Sequence, residues 1–271
     1  MFDFTDKNAV VTGAGGAIGG EIARGLASAG AKVAIWDISE EAGQKKADEI
    51  NSDSPEGEVI AVQCDAMSKD SVAGALEKTL DEFKTVHHLL NGAGGSHPTT
   101  TTSSELEFFD IDPENVRRVI DLNYLTSVIP SQAIGRVFAK NKAGAVVNIT
   151  SIGGGLPLGR ALAYSNGKAA ADSFTRWLAV HMASTYSPNI RVNGIAPGFM
   201  ITNQNRFLLL DEQTEQLTER GETVVSNVPM RRFGDPTEIV GAVLWLLSDH
   251  ATFVTGAVIP VDGGFSANCG V

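Results

Sequence analysis

The stretch "NAVVTGAGGAIG", residues 8–19, decides how the rest of the chain is read. Asn8 to Thr12 is a short β-branched run with the character of a strand, and it passes without a spacer into Gly13, Gly15, Gly16 and Gly19. Glycines at this place permit a tight turn, let the backbone approach a pyrophosphate and let the next helix pack closely. A helix beginning at Ala17 and Ile18 adds unpaired N–H groups and a positive dipole end. A plain turn has a similar composition, so the flanks carry the distinction. Ile18, Ile22 and Leu26 recur at four-residue intervals, as on one face of an amphipathic helix. A second strand-like run, "KVAIWDI" (32–38), then places the acidic Asp37 near its end. Strand, glycine turn, helix, strand and acid together describe a dinucleotide-binding unit.

The same alternation continues along the chain. "EVIAVQC" (58–64), "VHHLLN" (86–91), "AVVNIT" (145–150), "IRVNGIA" (190–196) and "AVIPVD" (257–262) read as further strands, almost wholly apolar, as suits parallel strands covered on both faces. Helix-length segments separate them, one carrying Val72, Leu76, Leu80 and Phe83. The expected fold is α/β: a Rossmann-type doubly wound parallel sheet of seven strands, flanked by helices on both faces in a single domain, residues 1–271. Asp112 before Pro113 and Asp235 before Pro236 mark two helix starts. Pro130 falls inside an apparent helix from about 113 to 140, where a proline costs around 3 kcal/mol and should bend or interrupt it. Residues 199–227 are polar and mixed, and a segment of that kind beside the carboxyl edge of a sheet reads as a substrate lid.

Composition removes several classes of function. With 21 basic against 32 acidic side chains the net charge is −11, which disfavours nucleic acid as a partner. No apolar run approaches the roughly 18 residues that would span a membrane. The opening "MFDFTDKNAVVTG" has no basic stretch leading into an apolar one, and a cytoplasmic location is expected. Cys64 and Cys269 are too few for a disulfide framework. The adjacent His87 and His88 face opposite sides of a strand and make a poor chelating pair, so no metal is expected.

Asp37 bears on the choice of cofactor. A carboxylate here can accept hydrogen bonds from both adenosine ribose hydroxyls and repels a 2′-phosphate, and no arginine or lysine in the glycine turn or directly after Asp37 offsets that repulsion. NAD is therefore expected over NADP, the alternative being that Asp37 only caps the helix that follows. A second pattern concerns chemistry. In "ALAYSNGKAA" (161–170), Tyr164 and Lys168 lie four residues apart, one helical turn on a single face, with Gly167 directly before the lysine.

These features in this order resemble the short-chain dehydrogenase/reductase family over essentially the whole chain. Thr12, Gly13, Ala17 and Gly19 meet its T-G-x-x-x-A-x-G pattern; "QCDA", with Asp65 and Ala66, resembles its adenine-contacting segment, and Asn91, Gly92, Ala93 and Gly94 its N-x-A-G segment. Asn123 in "DLNY", Ser151 in "NITS" and the Tyr164–Lys168 pair match its catalytic set. "APGFMIT" (196–202), with Pro197, Gly198, Met200 and Thr202, matches its nicotinamide-contacting turn.

The resemblance implies a mechanism. Tyr164 is the general base for alcohol oxidation and the general acid in reverse, Ser151 hydrogen-bonds the reacting oxygen, and Lys168 lowers the tyrosine pKa and holds the nicotinamide ribose. Asn123 holds a water that connects Lys168 to solvent. Read without the resemblance, Ser151 is a strand-end turn residue and Asn123 a helix-kink residue near Pro130.

Within the family the likeness is to the D-mannonate oxidoreductase (D-fructuronate reductase) subgroup. It rests on "NGAGGSHP" (91–98), "FFDID" (108–112), "APGFMITNQNRFLL" (196–209), "PMRRFGDP" (229–236) and "PVDGGFSANCGV" (260–271). A hexonic acid needs donors for several hydroxyls and a cation for its carboxylate. Asn203, Gln204, Asn205 and Arg206 follow the nicotinamide turn, and His97 and Arg160 stand on loops after the fourth and fifth strands. Arg206 can equally be a solvated residue or a salt-bridge partner. "SIGGGLPLGRA" (151–161) departs from the subgroup in its three successive glycines, which leaves a gluconate 5-dehydrogenase or another polyol or sugar dehydrogenase as the alternative. A protein that binds NAD without catalysis is the alternative from another class. Family members usually form tetramers through the helices after strands four and five, and Phe174, Trp177, Leu178, Val180 and Met182 make a homotetramer the expectation here.

Overall fold

The computed structural model describes residues 2–53, 56–202, 205–211 and 214–268. Among these residues, seven strands form one sheet in the order β3-β2-β1-β4-β5-β6-β7, every pairing parallel. They are β1 (Asn8–Thr12), β2 (Lys32–Asp37), β3 (Glu58–Gln63), β4 (His88–Asn91), β5 (Gly144–Ile149), β6 (Ile190–Pro197) and β7 (Val258–Val261). The order reverses between β1 and β4. The carboxyl ends of the two strands diverge there, which opens a crevice at the topological switch point. Register puts Thr12 beside Trp36 on one side and Asn91 on the other, so the glycine turn and the segment after β4 leave the sheet side by side.

Helices cover both faces. The early ones are α1 (Ala17–Ser28), α2 (Glu40–Asp53) and α3 (Lys69–Phe83); then come the long pair α4 (Pro113–Asn141) and α5 (Leu162–Thr185); and α6 (Arg206–Leu209), α7 (Glu219–Asn227) and α8 (Val240–Leu247) follow β6. One apolar layer joins Val11, Val33 and Ile35 of the sheet to Ile22 and Leu26 of α1 and to Val243 and Leu246 of α8. The other joins Val10, Leu89 and Val146 to Val72 of α3, Ile134 and Phe138 of α4 and Phe174 and Leu178 of α5. Adjacent residues of β1, Val10 and Val11, serve opposite layers, as strand alternation demands. Among the described residues no helix is long and apolar enough to cross a membrane.

Both proline-marked starts are capped: Asp112 accepts the Glu114 N–H, and Asp235 accepts that of Thr237 in a capping box leading through a short 3-10 turn into α8. The expected break at Pro130 is absent. α4 runs unbroken past it, with Pro130 buried among Ile129, Ser131 and Ile134. Twenty-nine residues of helix packed along the sheet and α5 outweigh the single backbone hydrogen bond that proline removes. At Gly167 a Cβ would lie 2.7 Å from the Cβ of Asn123, so this glycine lets α5 approach α4 closely.

Residues 199–227, expected as a lid, hold α6 and α7 joined by a Leu210–Leu217 bridge. The Phe265 ring packs edge-on against Phe199 at 5.2 Å, which brings the carboxyl-terminal segment onto the base of this region. Of the five apolar residues on α5 that suggested assembly, Phe174, Leu178 and Met182 belong to the core, whereas Trp177 and Val180 stand exposed. Beside them runs a groove between α4 and α5 of about 1210 Å³, reaching Tyr124, Gln132, His181 and Tyr186.

Candidate active site

The crevice at the switch point is a cleft of about 800 Å³. Gly13, Gly15, Gly16, Ala17, Ile18 and Gly19 form one wall, and Asp37, Asp65, Ala66, Gly92, Ala93, Gly94 and Thr202 complete the predicted lining. Gly13 has φ +68°, and a Cβ on it would sit 2.8 Å from the Cα of Ala93, so the two turns interlock only through glycine. Gly16 caps α1 with extended backbone and no side-chain hydrogen bond, which leaves the first-turn N–H groups of that helix for an anion. The Gly15 N–H donates to Asp37 Oδ2 at 2.9 Å, and Asp37 Oδ1 accepts the Ser39 N–H at 3.0 Å. Asp65 turns the chain after β3 by accepting the Met67 N–H. A glycine cradle, an open helix start and a carboxylate at the end of β2 fit a nicotinamide dinucleotide.

Asn91, Pro197, Gly198 and Met200, also expected at the cofactor, are absent from that lining, as are Tyr164 and Lys168. Asn91 Nδ2 donates to Ser127 O, Ser131 Oγ and Asn148 Oδ1, stitching β4 to α4 and β5 beneath the site. Strand alternation turns its side chain into that face. Pro197 ends β6; Gly198 donates to Val261 O at 2.9 Å; Met200 is buried against Gly234. Together they shape the turn that delivers Thr202 to the cleft.

Ser151, Asn123, Tyr164 and Lys168 are brought together by three elements. Ser151 ends the turn after β5 and its hydroxyl accepts the Gly153 N–H at 3.1 Å, starting a 3-10 turn over Ile152–Gly154. Tyr164 and Lys168 share one face of α5, with the Lys168 Nζ 5.7 Å from the centre of the tyrosine ring. Nζ donates to Ile149 O at 2.8 Å. Asn123 grips Gly95 twice, accepting its N–H at 3.0 Å and donating to its carbonyl at 2.8 Å, and also donates to Val119 O. A Cβ on Gly94, at φ +151°, would fall 2.8 Å from Asn123 Oδ1 and 3.4 Å from Lys168 Nζ, so the segment after β4 closes directly over the lysine.

The electrostatics differ from the expected acidic phenol. Burial pushes the Tyr164 phenol above its ordinary value, and the neighbouring Ser151 hydroxyl pulls it back in part. Burial also drives Lys168 down to about 8, with the Asp172 carboxylate opposing it. Lys168 is therefore an ammonium under stress, held by a carbonyl at its tip, and it does not dominate the tyrosine.

The expected substrate residues divide. Arg206 pairs with Glu215 at 2.8 Å on the surface, side chains 49% and 75% exposed, and is absent from the cleft lining. Asn205 commits its amide to the turn, accepting the Thr202 N–H and donating to Met200 O, each at 2.8 Å. Both serve the geometry of the segment after β6, because a chain leaving a strand end must satisfy its own backbone. Asn203 and Gln204 lie outside the described residues, as does Cys269. His97 caps a 3-10 turn, its Nδ1 2.8 Å from Thr99 Oγ1. Arg160 is exposed, and its carbonyl accepts the Thr102 N–H at 3.1 Å. With a Thr101–Ala161 bridge, this contact ties the loop carrying His97 to the loop carrying Arg160.

Further contributors surround the site, Thr12 from the glycine-turn motif and Thr126, Lys46 and Arg118 from outside any motif. Thr12 Oγ1 accepts the N–H groups of Gly92 and Ala93, and Thr126 donates to Ala93 O, so two hydroxyls fix the loop after β4. Lys46, Arg118 and Leu122 line the cleft. Asp172 is buried one turn beyond Lys168. Cys64 is buried and its thiol pushed up to about 11 by burial, so it is unreactive. Among the described residues no cluster suits a metal ion.

Comparison with known proteins agrees with this arrangement. The family model described as enoyl-(acyl carrier protein) reductase, a short-chain dehydrogenase model, matches residues 13–266. The uncharacterized oxidoreductase UxuB of Bacillus subtilis is 39% identical over 274 residues, covering 98% of this chain and 96% of its own. A Haemophilus influenzae structure with bound NAD, provisionally described as a D-mannonate oxidoreductase, superposes with TM-score 0.92 at 37% identity, covering 100% of this chain and 98% of that one. A Beutenbergia cavernae structure, provisionally described as an NAD(P)-dependent gluconate 5-dehydrogenase with NADP at low occupancy, gives 0.85 at 30% identity, covering 98% and 99%. The chain belongs to the short-chain dehydrogenase/reductase family and is an oxidoreductase that uses a nicotinamide cofactor on CH–OH groups of a small-molecule substrate.

Proposed function

We propose that this enzyme uses NAD to interconvert a sugar acid and its keto form, with D-mannonate and D-fructuronate as the substrate pair. The observation that carries the catalytic part is the convergence of Ser151, Tyr164 and Lys168, with the Lys168 tip against Gly94 of the cleft wall. Asp37 supports NAD, since its carboxylate faces the Gly15 backbone and would repel a 2′-phosphate. Of the two cations in the cleft wall, Lys46 and Arg118, Lys46 is paired with Glu49 at 2.9 Å. The likeness to the Haemophilus protein supports the substrate. The likeness to the Beutenbergia protein favours gluconate as the second reading.

A nicotinamide cofactor held in the glycine-lined cleft would supply the hydride chemistry. The chain supplies the proton chemistry. Tyr164 Oη takes the proton of the carbinol in oxidation and returns it to the carbonyl in reduction, and Ser151 Oγ donates to the same oxygen as its charge grows. Lys168 holds the ribose hydroxyls by its ammonium. Asn123, by fixing Gly95 and the adjacent loop, orders the water route through which the proton of Lys168 reaches solvent. Arg160, exposed on the loop tied to that of His97, is the candidate cation for the substrate carboxylate. Residues 199–227 act as the lid over the bound acid.

The groove between α4 and α5, with Trp177 59% exposed, is where a second copy packs, as in a homotetramer. The deciding experiment is an NAD- and NADP-linked assay of D-mannonate beside D-gluconate and neutral polyols, with Tyr164→Phe as control. The proposal requires NAD-linked oxidation of D-mannonate to lead the panel and to fall by about 10²–10⁴ in the variant while NADH still binds. Equal activity in Tyr164→Phe removes the mechanism, and binding without turnover of any substrate leaves the non-catalytic reading.

A further inference from the structure

The carboxyl-terminal segment holds none of the residues that move the proton, yet it meets the lid at both of its ends. β7 stops at Val261, and Gly263 and Gly264, at φ +63° and +88°, turn the chain back. L side chains rarely adopt that backbone, so the reversal depends on glycine. The Asp262 carboxylate fixes it, accepting the Gly264 N–H at 2.9 Å and the Ser266 N–H at 2.7 Å. A short 3-10 turn over Phe265–Ala267 follows.

The departing end of the lid rests on this turn. The Gly198 N–H donates to Val261 O at 2.9 Å, and a Cβ on Gly198 would lie 2.6 Å from that of Asp262. One residue on, the Phe199 ring meets Phe265 with centres 5.2 Å apart and planes at 71°, a preferred arrangement for an aromatic pair. The chain then runs on to Thr202, which lines the cofactor cleft.

The returning end rests on it too. A Cβ on Gly263 would fall 2.8 Å from Val228 Cγ1, and one on Gly264 3.1 Å from Pro229 Cγ, so bare backbone packs against the chain as it leaves α7. Gly263 O accepts the Met230 N–H at 3.2 Å, and Asn268 Nδ2 donates to Asn227 O at 3.3 Å. Asp262 to Asn268 thus join two stretches that the whole lid separates in sequence. A segment whose ends are already held together has less freedom to lose when it orders over a ligand.

We propose that Asp262–Asn268 is a brace for both ends of the lid, and that Phe265 is a positioning residue for the substrate, acting through Phe199. The proposal rests on residues 199–227 serving as the lid. Phe265 reduces the ordering that the lid undergoes when an acid binds, and it does so without touching cofactor or substrate. The turn to Thr202 keeps its own hydrogen bonds to Gly234 and Asn205, so the brace bears on the acid more than on the dinucleotide.

The test is limited trypsin digestion of the full chain, with fragments identified by mass, beside steady-state kinetics with NAD and the better of D-mannonate and D-gluconate. Arg206 and Arg220 put two exposed cleavage sites within the lid. In the wild type, NADH together with either acid, a pair that binds without turnover, should slow cutting at both sites. Phe265→Ala should speed cutting there about threefold or more in the absence of ligand and raise the KM for the acid about tenfold, with kcat and NADH affinity within about twofold of wild type. Phe265→Tyr keeps the ring and should behave as wild type, and Asn268→Ala should speed cutting about twofold. Phe265→Ala with wild-type cutting and KM overturns the proposal. Faster cutting throughout the chain, with NADH affinity lost in step, is a general loosening and overturns it as well. Wild-type lid cutting that NADH and both acids leave unchanged removes the lid reading itself, and the brace with it.

Discussion

Gly15 and Asp37 are joined by one hydrogen bond, 2.9 Å from the backbone N–H to the carboxylate, across the mouth of the cleft. The acid therefore braces the glycine turn and offers its charge to whatever lies on it. Asp37→Ser keeps a small polar group and removes the charge. The kcat/KM for NAD should fall roughly 10- to 100-fold, the worth of one or two charge-assisted hydrogen bonds, while that for NADP rises. Steady-state kinetics with both cofactors decides it. An unchanged ratio would mean that Asp37 only shapes the turn.

Arg160 and Arg206 make opposite predictions. Arg206 is held by Glu215 on the surface, so Arg206→Ala should leave the KM for a sugar acid within about twofold, an exposed ion pair being worth at most about 1 kcal/mol. Arg160→Ala should raise that KM by about tenfold or more and leave neutral polyols unaffected, if its guanidinium meets the carboxylate. Assaying both variants with one acid and one polyol separates the roles. An Arg206→Ala enzyme selectively impaired on acids would return that residue to the site.

The fold was legible because the information was local and periodic. Each strand of the sheet coincides with a near-continuous apolar run, and the glycine turn, the two Asp-Pro starts and the Tyr164–Lys168 spacing each need only a few consecutive residues. What sequence could not convey is how polar side chains are spent. Asn91 and Asn205 belong to motif segments, yet their amides are used up by β5, α4 and the turn after β6, partners from 3 to 57 residues away. Arg206 has the right chemistry for a carboxylate and finds one in Glu215. Pro130 breaks a helix only when nothing else holds that helix, and the long face against the sheet and α5 holds it.

Trp177 stacks on His181 with ring centres 4.8 Å apart and planes 12° from parallel, beside exposed Val180 and Tyr186. An apolar surface of this kind on a helix whose other face is already in the core suits burial against a second copy. Trp177→Glu should shift the assembly to a smaller species in size-exclusion chromatography with light scattering, with the circular dichroism spectrum retained. A wild type that runs as a monomer ends the expectation, and an unchanged size in the variant moves the interface elsewhere.

His88 begins β4 with neither ring nitrogen hydrogen-bonded to the protein, its ring edge-on to Phe4 at 5.4 Å. Burial drives its pKa down to about 3, and the charged groups acting on it, His87, Lys7 and Arg191, push in the same direction. An unfolded histidine titrates near 6.5. Between those values the unfolded chain binds the proton and the folded chain refuses it, so stability is at its full value above about pH 6.5 and declines as pH falls toward 3. At pH 5 this residue alone should cost about 2 kcal/mol relative to pH 7.5. His88→Leu removes the titrating ring and the two unpartnered nitrogens. Urea unfolding at pH 7.5 and pH 5 should show the loss at low pH reduced by that amount in the variant, with no loss of stability at pH 7.5. If wild type and variant lose stability equally between the two pH values, acid sensitivity resides in other groups and the buried imidazole plays no part in it.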